Sequence, residues 1–176
     1  MVRFQRQPPG TAITRASLLV GGGLAGVAAW RIVAGERVGP ALLAGVGATL
    51  LLVGSHRANH GAGGPVDRML GELLDRAWDG LVLAPIAWVT RVDEPGIALG
   101  ALVAICASFL SSYVRARGAA LRYSVEESHV TRGVRYALVA AGLAFDALGV
   151  AVWSAAVVSV LAVLVRISQV AKEERA

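Results

Sequence analysis

Two carboxylates carry the first chemical signal in this chain. The stretch Gly71-Glu72-Leu73-Leu74-Asp75-Arg76-Ala77-Trp78-Asp79-Gly80 opens an apolar run that continues from Leu81 to Val89. Gly71, Asp75 and Asp79 are four residues apart. On an α-helix a four-residue step overshoots one turn by about 40°, so the three share a face. Carboxylates inside a membrane helix are costly. They persist when paired, wetted or holding a cation, and so mark a functional site. His56 and His60 are a weaker candidate. They could ligate a metal if their segment were helical, but Gly61, Gly63 and Gly64 argue for a loop there. His129 reads as a solvated loop residue, and Ser111-Ser112-Tyr113 as interhelical packing and hydrogen bonding.

The elements that must position these groups follow from composition. The chain has 176 residues, 56% of them hydrophobic and only 16% charged, against about a quarter charged in a soluble domain. Its apolar residues come in runs of helix length between charged clusters, the pattern of a polytopic membrane protein. In lipid only helices or a closed barrel satisfy the backbone. The runs are too long, and too rich in Ala, Leu and Gly, for alternating barrel strands. The expectation is therefore an all-α fold, a single domain over 1–176 with six transmembrane helices: 16–33, 38–53, 67–89, 97–114, 134–147 and 151–165. A polar loop covers 54–65 and a charged loop 115–132, while Asp146 and Gly149 mark the last turn. The last two spans fall near or below the roughly 20 residues a bilayer crossing needs, so one kinked segment is the alternative there.

Six spans place both termini on one side. That side receives Arg3, Arg6, Arg15, Arg57, Arg68, Arg115, Arg117, Arg122, Arg132, Arg135, Lys172 and Arg175; the other receives only Arg31, Arg37 and Arg91. The positive-inside rule then predicts a multi-pass protein of the inner cell membrane with both termini cytoplasmic. The net charge of +5 sits in loops beside spans, which points to anionic membrane lipids rather than nucleic acid. Cys106 is the single cysteine; it forms no disulfide within the chain and is expected in the core. No cleavable signal peptide is read at the start. Gly21-Gly22-Gly23 implies either a close packing face or a soft helix. The four tryptophans read as belt or packing residues.

On these residues the chain resembles the CDP-alcohol phosphatidyltransferase family. The family signature is D-x2-D-G-x2-A-R-x8-G-x3-D-x3-D, running from the end of helix two into helix three. Gly71, Asp75 and Asp79 match its second half. Gly80-Leu81, Ser112-Tyr113-Val114-Arg115-Ala116-Arg117 and Thr131-Arg132-Gly133-Val134-Arg135 resemble the actinobacterial phosphatidylinositol-phosphate synthase branch, and Gly10-Thr11-Ala12-Ile13-Thr14 does so weakly.

The resemblance implies a six-helix membrane bundle and a phosphatidyl group moved from CDP-diacylglycerol to a phosphorylated alcohol such as inositol phosphate, releasing CMP. It implies Mg²⁺ or Mn²⁺ at Asp75 and Asp79, with Asp79 as the base on the incoming alcohol. Arg115, Arg132, Arg135 and Arg166 would hold the acceptor phosphate, a task the planar guanidinium fork suits. Ordinary headgroup anchoring is the other reading of these arginines. A homodimer, or a heterodimer with an active relative, is also implied.

The first half of the signature is lost. Counting back from Gly71, its two aspartates fall on Gly54 and Arg57, its glycine on Ala58, and its A-R pair on Gly61 and Ala62. Residues 42–66 contain no Asp or Glu. Mg²⁺ demands oxygen ligands in near-octahedral array, and a two-metal site needs carboxylates on both sides. The alternative is thus a catalytically silent paralogue that acts as a membrane partner or binds an anionic lipid or sugar phosphate. In it Asp75 and Asp79 are neutralised by Arg57, Arg68 or Arg76.

Overall fold

The computed structural model describes residues 10–123 and 129–173. They form six α-helices: α1 (Thr11–Val33), α2 (Val38–Arg57), α3 (Pro65–Thr90), α4 (Pro95–Ala120), α5 (His129–Ala144) and α6 (Leu148–Glu173). No strand occurs among the described residues.

Local chemistry sets the helix ends. Pro65 and Pro95 open α3 and α4 at positions where a missing N–H costs nothing. The chain leaves α2 through a wide turn, Ala58–Ala62, in which Gly61 takes φ 91°, a left-handed conformation that glycine adopts freely. Asp146 takes φ 54° between α5 and α6, a conformation that Asp tolerates better than most residues. That turn makes α5 and α6 two packed helices rather than one kinked segment.

The helices close into a ring in the order α1, α3, α4, α6, α5, α2, with α2 also touching α3. Successive helices alternate in direction. The starts of α1, α3 and α5 and the ends of α2, α4 and α6 therefore share one end, here the basic end. Thr14 donating to the Ala62 carbonyl (3.1 Å) and Arg115 donating to Glu72 (3.1 Å) tie that end together. At the opposite end Arg31 pairs with Glu36 at 2.5 Å, and Arg37 with Asp146.

Large apolar side chains lie on the outside, among them Leu19, Leu42, Leu102, Phe109 and Leu164. This is the surface of a protein solvated by lipid. By length and composition, four helical segments can cross a membrane: α1, α2 with its following turn, α4 and α6. α3 and α5 fall outside that group; α3 carries Asp67, Asp75 and Asp79 on its buried face, and α5 carries Arg132 and Arg135.

Small residues let the ring close. A Cβ on Gly21 would stand 2.8 Å from the Gly47 carbonyl oxygen, and one on Gly47 would stand 2.8 Å from that of Gly21. Of the two readings of Gly21-Gly22-Gly23, close packing holds for Gly21, whereas Gly23 meets nothing within 4 Å. Gly47→Leu is therefore expected to lower stability by about 1–3 kcal/mol. Gly23→Leu should stay within about 0.5 kcal/mol. Thermal melting in detergent checks both.

Several expectations are corrected. α1 starts at Thr11, five residues before the expected span at 16. α4 runs to Ala120 and α6 to Glu173, because the basic residues beyond the apolar runs continue the helices instead of ending them. Cys106 is exposed, not in the core. Asp146, expected in solvent, is exposed but paired with Arg37. Arg3, Arg6, Arg175 and the side chain of His129 lie outside the described residues.

Candidate functional site

Along one face of α3 the four-residue spacing holds from Asp67 through Gly71 and Asp75 to Asp79. All three carboxylates are fully buried. At Gly71 the face is pressed against α2: a Cβ there would lie 2.9 Å from Ser55 Oγ. Each carboxylate meets a guanidinium from another helix. Asp67 accepts from Arg15 Nε of α1 at 2.5 Å and from the Gly64 N–H at 2.7 Å, which fixes the first turn of α3.

α3 and α5 do not pack backbone to backbone among the described residues. Long side chains from α5 span the gap. Arg132, Arg135, Tyr136, Val139 and Leu143 form its buried face, at the spacing of one helical stripe. Tyr136 Oη donates to Asp75 Oδ1 at 2.8 Å, and Arg132 Nη1 pairs with Asp75 Oδ2. Arg135 reaches deeper, with Nε on Asp79 Oδ1 and Nη2 on Asp79 Oδ2, both at 2.9 Å. Two parallel bonds of this kind are the strong form of the pair. Arg76 Nη1 adds a bond to Asp79 Oδ2 at 3.0 Å and one to the Ser108 carbonyl at 3.1 Å. Ser108 Oγ also donates to Asp79 Oδ2. Trp78 backs this layer: its ring lies 4.1 Å from that of Tyr136, and its Nε1 donates to the Ala44 carbonyl at 3.3 Å.

Towards the basic end the layer opens into a cleft. Arg76, Arg115, Arg132 and Arg166 line it with Glu72, Asp75 and Ser112. Arg115 is held by Glu72 across the mouth, and Arg166 touches Ser111 Oγ. The free space is only about 10 Å³, room for about one water.

The structure thus brings Asp75, Arg115, Arg132 and Arg166 to one cleft, and sets Asp79 and Arg135 behind it. Gly71 is a packing position one turn away. Arg76 pairs with Asp79 as expected. Arg57 does not: its Nη2 stands 3.1 Å from where a Gly10 Cβ would be, at the start of α1. His56 and His60 stack with ring centroids 4.1 Å apart.

Sequence reasoning missed Asp67 with Arg15, Tyr136, Ser108 and Glu72. A signal existed for two of them. Asp67 continues the α3 spacing one step back from Gly71, and Tyr136 completes the i, i+3, i+4 stripe begun by Arg132 and Arg135. Ser108 carried none, since nothing in the sequence tells which small residue of α4 faces Asp79.

The donor set does not fit a two-metal centre. Among the described residues no three His, Cys, Asp or Glu side chains are placed to hold a metal ion. α2 contributes no carboxylate at all. The oxygens of Asp79 are already taken up by two arginines and a serine.

Fold and site together define a helical membrane protein with a buried, arginine-rich centre. No family model matches the chain. It is 31% identical over 182 aligned residues to the phosphatidylinositol phosphate synthase of Corynebacterium glutamicum, covering 98% of this chain and 81% of that one. Similar solved structures are two of the phosphatidylinositol phosphate synthase of Mycobacterium tuberculosis. The form with CDP-DAG bound has TM-score 0.75 at 22% identity, over 89% of this chain and 85% of that one. The form in complex with manganese and citrate has TM-score 0.75 at 21% identity, over 92% and 88%. The chain belongs to the CDP-alcohol phosphatidyltransferase family, in its actinobacterial phosphatidylinositol-phosphate synthase branch.

Proposed function

We propose that this chain serves phospholipid biosynthesis as a non-catalytic member of its family. On this reading it recognises a phosphorylated anionic headgroup and does not itself transfer a phosphatidyl group. The carrying observation is the two-pronged Arg135–Asp79 pair at 2.9 Å, in a bundle whose α2 brings no carboxylate to face it. Arg115, Arg132 and Arg166 hold the phosphate, with Arg135 behind them. Entry requires the Glu72–Arg115 bridge to part, because Glu72 now closes the mouth of the cleft. All six helices span the inner membrane, α3 and α5 with their charges turned into the ring, and both termini are cytoplasmic. The chain works as a homodimer or beside an active relative.

A second reading is favoured by the 31% identity that runs through almost the whole chain. In it the protein is a working transferase using CDP-diacylglycerol and a phosphorylated alcohol such as inositol phosphate. Mg²⁺ or Mn²⁺ is then required, Asp75 is a metal ligand and Asp79 the base. CMP release separates the two. Purified full-length protein with CDP-diacylglycerol, inositol phosphate and Mg²⁺ or Mn²⁺ is expected to release no CMP above the no-protein blank. Release that disappears in Asp79→Asn would establish the transferase instead.

A further inference from the structure

We infer that Arg132 and Arg135 are built-in counter-ions standing in place of divalent metal, so that this centre binds a phosphate monoester dianion without any metal ion. The inference deepens the non-catalytic reading and rests on it.

The charge balance argues against a cation. Among the described residues, four arginines and two carboxylates line the cleft, two more positive than negative charges. A divalent cation would double that surplus in a site withdrawn from water. Unit charges about 4 Å apart interact there by about 4 kcal/mol at an effective dielectric constant of 20. A phosphate dianion would cancel it.

The ligand geometry argues the same way. A metal at Asp79 Oδ2 would have to displace Arg135 Nη2, the Arg76 Nη1 bond at 3.0 Å and the Ser108 hydroxyl, and at Oδ1 it would meet Arg135 Nε, 2.9 Å from that oxygen. The displaced Arg135 is itself buried, with 3% of its surface exposed, so the freed guanidinium would have no water to turn to. Asp75 Oδ1 accepts from Tyr136 Oη at 2.8 Å, and its Oδ2, which accepts no hydrogen bond from the described residues, is ion-paired with Arg132. Arg115 and Arg166 line the same cleft, and a phosphate that parts the Glu72–Arg115 bridge meets them there.

The test uses the full chain in nanodiscs with two probes. Mn²⁺ binding is read from the EPR amplitude of the free ion. Phosphate binding is read from the rise in melting temperature with inorganic phosphate, in EDTA and in Mg²⁺. We expect the Mn²⁺ amplitude to be unchanged by equimolar protein at 1 mM, roughly the weak end of biological divalent-metal affinities. The phosphate-induced rise should be equal in the two buffers and lost in Arg166→Gln. A Mn²⁺ amplitude that falls in step with protein concentration overturns the inference, as does a phosphate effect confined to the Mg²⁺ buffer or absent from both. The wild-type Mn²⁺ reading stands even if Arg166→Gln fails to fold. Because neither readout is CMP release, this inference and the non-catalytic reading fail on separate measurements.

Discussion

Asp79→Ala is expected to lower the stability of the purified protein by about 3–5 kcal/mol, the cost of removing one partner of a buried ion pair. The mechanism is specific. With Asp79 gone, Arg135 and Arg76 face each other across the space it filled, with side chains 4% and 17% exposed. Arg76 keeps the Ser108 carbonyl at 3.1 Å, but Arg135 keeps no carboxylate. Two like charges in a site of low dielectric repel strongly. Asp79→Asn should cost less, because the amide oxygen still accepts from one arginine. The thermal midpoint in detergent should fall for both variants, and further for alanine.

Trp78→Ala is the second large expected effect, at about 3 kcal/mol, the low end of the range for deleting a buried aromatic side chain. The low end applies because lipid is as apolar as the bundle interior and offers little transfer term. What is lost is packing and one hydrogen bond. Trp78 is fully buried and supports the Tyr136 ring at 4.1 Å, and that ring in turn holds Asp75 through a 2.8 Å bond. Trp78→Phe should restore most of the stability, since it keeps a ring against Tyr136 and loses only the Nε1 bond to Ala44. The same melting experiment reads both variants.

Much of this architecture was legible in the residues alone. Apolar runs broken by charged clusters gave six helices in the right order, and the α3 spacing gave the polar face. Helix ends were less legible. At the ends of α4 and α6, charged residues continue the helix past the apolar stretch, and composition cannot separate a span from its helical extension. Cys106 was misplaced because an apolar run in a membrane protein has two apolar surroundings, core and lipid, and the residue type does not choose between them.

The site was half legible. The arginines that open α5 and the aspartates of α3 were visible separately. Their pairing was not, because the two helices do not pack directly and meet only through long side chains. Arg57 looked the natural partner for Asp75 or Asp79, since it takes the place of a signature aspartate. It instead reaches the start of α1, where its Nη2 stands 3.1 Å from the place of a Gly10 Cβ. The carboxylates that the family signature assigns to metal are here bound to guanidinium groups. Only side-chain geometry, not spacing, distinguishes the two.

A double-mutant cycle on Asp79 and Arg135 tests most directly whether that pairing organises the protein. Asp79→Ala, Arg135→Ala and the double variant would be melted beside the wild type under identical detergent conditions. Directly contacting residues couple by 0.5–3 kcal/mol, and a bidentate buried pair belongs near the top of that range. The double variant should therefore be more stable than the sum of the single losses predicts, by about 2 kcal/mol or more. Additive losses, with Arg135→Ala as harmless as an exposed substitution, would contradict the pairing.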